Sequence, residues 1–79
     1  MNDTVSKTEI ALSKLNDIQK TTVMNAKHFF DENKGISASR HDQRVMLKGY
    51  LNGLRDAEVL TETEDRALFI YATLHYKED

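Results

Sequence analysis

Cysteine is missing from this chain of 79 residues, which excludes disulfides and thiolate metal sites together. Proline is missing too, so helix ends must be marked by other residues. There is no tryptophan, only three glycines, and no apolar run long enough to span a bilayer. The opening stretch MNDTVSKTEIALSKLNDIQK lacks the apolar segment of a signal peptide, so the expectation is a cytoplasmic chain with no membrane contact. An excess of one charge is lacking as well. Eleven Lys and Arg against 13 Asp and Glu leave a formal net charge of −2, a small acidic protein with no overall pull toward nucleic acid.

What is present is apolar and charged residues at helical spacing, 39% and 30% of the chain, a balance that suits a charged helical domain better than a disordered one. A single core of this size supplies only a few kcal/mol, and small domains usually add a disulfide, a metal or a second copy. With the first two unavailable, homodimerisation is the expected remedy.

The pattern predicts one all-α domain, a small three-helix bundle with a long helix A followed by a tight B–C hairpin. Residues 1–6 read as a flexible N-terminus and 7–33 as helix A, opened by a Ser6/Glu9 capping box and closed by Gly35 with Ile36 folding back. Ala11, Leu12, Leu15, Ile18, Thr22, Val23, Ala26, Phe29 and Phe30 fall on one face of it, flanked by lysines. The β-branched run Thr21, Thr22, Val23 is the expected place for any bend. Helix B is placed at 40–58, capped by Ser37 or Ser39, with Met46, Leu47, Tyr50, Leu51, Leu54 and Ala57 as its apolar face. Helix C is placed at 62–77, opened by a Thr61/Glu64 capping box and an acidic first turn that suits the helix dipole. The B–C connection has Glu58 followed by Val59 where a helix-turn-helix usually carries glycine.

Two features point outward. Gly49 and Gly53, four apart on helix B, make a shallow groove that either packs against helix A or C or receives another molecule. Helix C is apolar around most of its circumference, more than two partner helices would cover. The expected dimer interface is therefore Gly49, Gly53, Phe69, Ile70, Tyr71 and Leu74.

The charges are segregated. From Lys34 to Arg55 there are five cations and one carboxylate, Asp42; residues 56–65 then carry five carboxylates and no cation. Arg40, Arg44, Lys48 and Arg55 form a basic stripe on helix B and are the expected partner-binding residues. The stripe either stays solvated and is partly neutralised by the acidic elbow, or meets an acidic protein surface, or contacts phosphates. Helix C would lead into a DNA groove with TETED, so it makes a poor recognition helix.

Catalytic constellations are not evident. The histidines His28, His41 and His75 are scattered, and Ser6, Ser13, Ser37 and Ser39 read as caps, polar-face or loop residues. Glu64 and Asp65 are expected in water at a helix start. Tyr71 and Tyr76 are the aromatics expected to reach the surface. No cofactor or metal is expected. The functional expectation is a non-catalytic regulatory module that contacts a larger protein, of the kind a bacterium, phage or plasmid uses to inhibit or adapt a bigger machine. A nucleic-acid-binding regulator using the basic stripe is the alternative.

Overall fold

The sequence signals for helix starts are visible at two of the helices in the computed structural model, which describes the backbone of residues 3–32 and 37–74 and the side chains of residues 7–32 and 40–74. Four helices follow one another, α1 (Asp3–Ser13), α2 (Asp17–Asp31), α3 (Ser37–Asp56) and α4 (Glu62–Ala72), and no strand occurs among the described residues. The radius of gyration, 12.3 Å, is close to the roughly 12 Å of a compact chain of this length. No helix among the described residues is long and apolar enough to cross a membrane.

The expected helix A is thus two helices, and the break lies at residues 14–16, not at Thr21-Thr22. Asn16 makes the break. Its backbone is extended, its side chain accepts from the Gln19 N–H at 2.8 Å, and its own N–H donates to Gln19 Oε1 at 2.9 Å, a complete capping box. On the other side of the corner, the N–H groups of Lys14 and Leu15 donate to the carbonyls of Ala11 and Leu12, the tight i−3 bonds of a helix end. Thr22 sits comfortably inside α2 because its hydroxyl donates to the Ile18 carbonyl. Ser6 is no N-cap, since α1 begins at Asp3; the Gly35 closure lies outside the described residues.

The corner lets three helices surround the fourth. α4 packs against α1, α2 and α3, and a single core joins Ala11 and Leu15 of α1 and the corner, Val23 and Phe30 of α2, Leu47, Leu51 and Leu54 of α3, Leu60, and Leu68 and Ala72 of α4. Most of the apolar circumference of α4 is therefore covered within one chain, which removes the chief sequence argument for a dimer through this helix.

α3 ends in a Schellman motif without glycine. The Val59 N–H donates to the Leu54 carbonyl (2.9 Å) and the Glu58 N–H to the Arg55 carbonyl (3.0 Å), which forces Glu58 to φ 63°. Val59 packs back on the core. An L-residue in this left-handed region is strained by about 1–2 kcal/mol, so Glu58→Gly should raise unfolding stability by about 1 kcal/mol in urea titration.

α4 begins as expected: Thr61 Oγ1 accepts from the Glu64 N–H, and the Glu64 carboxylate accepts from the Thr61 N–H at 2.8 Å. The same carboxylate takes Lys14 Nζ of the α1–α2 corner at 2.7 Å. Lys14 first, then the Thr61 N–H, hold the Glu64 carboxyl below its ordinary range. Because the folded-state value is lowered, this stabilisation is fully present above the unfolded glutamate pKa of about 4.3 and disappears as pH falls through the lower folded value. Glu64→Gln can keep the cap but not the charge. It should lower stability at neutral pH by about 1 kcal/mol, Lys14 being partly exposed, and the gap to the unmodified chain should close in acid.

Candidate functional site

Arg44, Lys48 and Arg55 of the basic stripe reach α4 along one side of α3, Lys48 remaining exposed and Arg44 and Arg55 half-buried. Arg40 is buried at the start of α3. Arg44 stacks its guanidinium 5.2 Å from the centroid of the Phe69 ring on α4, and Lys48 brings Nζ to 5.8 Å of the same ring. Arg55 reaches Asp65 on α4 at 3.7 Å. Lys48 and Arg55, with Asn52, Glu62, Asp65, Arg66 and Phe69, line a polar cleft of about 340 Å³ between the two helices. The stripe and the acidic start of α4 therefore neutralise one another across a helix interface, and Phe69 is its apolar floor.

Glu64 and Asp65, expected in water, are 7% and 6% exposed. They are buried because the first turn of α4 is wedged between the α1–α2 corner and the end of α3. For Asp65, desolvation dominates and raises its pKa, while Arg55 and Lys48 pull it back down. Folding thus eases protonation of Asp65 relative to the unfolded chain, so it opposes the acid-side trend of Glu64.

The expected dimer residues are divided between separate places. Ile70, Tyr71 and Leu74 line an apolar groove of about 340 Å³ with Leu12 and Thr8 of α1. Ile70 and Leu74 are exposed there, while Tyr71 leans on α2, its hydroxyl 3.9 Å from Met24 Sδ and its ring 4.8 Å from Lys27 Nζ. Phe69 lies under Arg44 and Lys48. Gly49 and Gly53 are on the outer side of α3, opposite Leu47, Leu51 and Leu54, and a Cβ at either would meet nothing within 4 Å. Packing of the glycines against another helix of the same chain is thereby overturned. Tyr76 and His75 lie outside the described residues.

A larger apolar groove, about 650 Å³, runs between α2 and α3, lined by Ala26 and Phe29 on one side and Met46, Leu47 and Tyr50 on the other, with Thr22, Asn25 and Gln43 as uncharged polar members. Sequence periodicity placed Ile18, Thr22, Met46 and Ala57 in the core, but all four are exposed. The signal for this groove was in the sequence: the apolar faces assigned to helices A and B are wider than a single core contact needs.

Among the described residues no group of three or more His, Asp or Glu is assembled for a metal ion; His28 instead lies 3.7 Å from Glu32 on its own helix. Comparison with protein-family models, with curated proteins and with solved structures finds no match to this chain.

Proposed function

We propose that this chain is a small non-catalytic protein-binding module, which works as a homodimer and regulates a larger protein by direct contact. The observation that carries the reading is an inversion of the usual surface. Arg44, Lys48 and Arg55 are engaged on α4, whereas Ile70 and Leu74 stand exposed along the α1–α4 groove. A phosphate backbone is bound by cations that reach out of a surface. An amphipathic helix or apolar segment of a protein is bound by a groove of this second kind. Self-association belongs to the same reading because the core is small and the chain has no cysteine for a disulfide.

The test compares surface variants in chemical cross-linking and co-purification from the source cells. Ile70→Asp with Leu74→Asp should retain the helical circular dichroism of the unmodified chain and lose the partner. Arg44→Glu with Lys48→Glu should leave the partner in place. The nucleic-acid alternative predicts the reverse, with strongly salt-dependent duplex binding that the charge reversal abolishes.

A further inference from the structure

The α2–α3 side of the molecule is the least accounted for. Three of its large apolar side chains are mostly in solvent: Ile18 at 77% exposure, Met46 at 64% and Val45 at 54%. Ile18 lies one turn before Thr22 on the groove side of α2, and Met46 itself lines the groove. Val45, Gly49 and Gly53 continue from Met46 along the outer face of α3 at helical spacing. The groove lining carries no charged side chain, and Arg44, Lys48 and Arg55 of α3 contact α4 instead.

We infer that this face is the seat of a second copy of the chain, packed α3 against α3 in antiparallel fashion about a two-fold axis. The inference rests on the self-association in the reading above and names the surface that performs it. Two arguments favour a second copy over a foreign partner. The first is self-complementarity, because an isologous contact requires the same patch to hold both ridge and notch. With the axis between residues 47 and 48, Met46 of one copy lies over Gly49 of the other, where no Cβ stands in the way, and Asp42 lies opposite Gly53. No like charges meet along the exposed stripe in that register.

The second argument is area. α3, at 20 residues, is about 30 Å long and α2, at 15, about 22 Å, each about 10 Å wide. The footprint is then about 500 Å² per copy, or about 1,000 Å² in all, the size from which a specific interface begins. The α1–α4 groove has about half the volume of the α2–α3 groove.

Sedimentation velocity of the full chain across micromolar concentrations tests this. The unmodified chain should approach twice the 9.1 kDa monomer mass as concentration rises. Met46→Asp and Gly49→Leu should each raise the dimer dissociation constant by at least about tenfold. Leucine is a better helix former than glycine and meets no atom within 4 Å at that position, so Gly49→Leu remains informative if Met46→Asp is poorly folded. Leu74→Asp should leave the constant unchanged. An unmodified chain that stays monomeric overturns the self-association reading along with this inference. A dimer that tolerates Met46→Asp and Gly49→Leu overturns this face alone, as does one that only Leu74→Asp breaks.

Discussion

One carboxylate ties the architecture together. Glu64 closes the cap of α4 through the Thr61 N–H and at the same time holds Lys14 at the corner between α1 and α2. A local helix-start signal and a contact fifty residues away in sequence thus share an atom, Oε1 of Glu64. The corner is where the chain must turn if α1 and α2 are both to lie against α4. Without the turn, one long helix would present a single seam, and α4 would have only two neighbours for a nearly all-round apolar surface. Asn16 and Gln19 supply the turn by satisfying backbone groups that an uninterrupted helix would have bonded internally.

The same geometry decides which charges reach solvent. Once the first turn of α4 is buried, Glu64 and Asp65 need cationic partners, because an unpaired carboxylate loses far more on desolvation than an exposed pair gains. Lys14 answers Glu64, and Arg55 with Lys48 answers Asp65. Arg44 and Lys48 meanwhile cover Phe69, the aromatic ring on the α3 side of α4. The stripe that looks like a free binding surface on a helical wheel is engaged on α4 through Arg44, Lys48 and Arg55, although Lys48 stays exposed and Arg44 and Arg55 half-buried. The α2–α3 groove, by contrast, is lined by apolar and uncharged polar side chains alone, which favours contact with protein as the functional reading.

Much of the fold was legible. Helical periodicity with no competing strand pattern made the chain all-α, and Thr61-x-x-Glu64 placed the start of α4 at the right residue. The break in the first half was legible in principle, since Asn16-x-x-Gln19 is the same kind of signature. It was masked because Leu15 and Ile18 continue the apolar phase across the corner, so periodicity argued for one helix where the caps argued for two. Ile18 consequently looked like core and is exposed. The fate of the basic stripe was not legible at all. A wheel gives the direction of Arg44 and Lys48 relative to Leu51 but not what lies beyond them, and that depends on where the ring of Phe69 is carried by the tertiary packing of α4.

α3 carries several departures from optimal monomer stability, and their sum bears on association. Gly49 and Gly53 each weaken a helix interior by about 1 kcal/mol relative to alanine, and nothing in the folded chain requires either to lack a side chain. Glu58 adds the strain of a left-handed backbone at the end of the same helix. Together they forgo about 3 kcal/mol in a domain of a size that commonly has little more than that to spare. Binding to the folded state restores an amount of that order: about 2.7 kcal/mol when the partner is present at 100 times its dissociation constant. A helix that is poor on its own outer face, yet lies beside an apolar groove of about 650 Å³, is balanced when that face is covered.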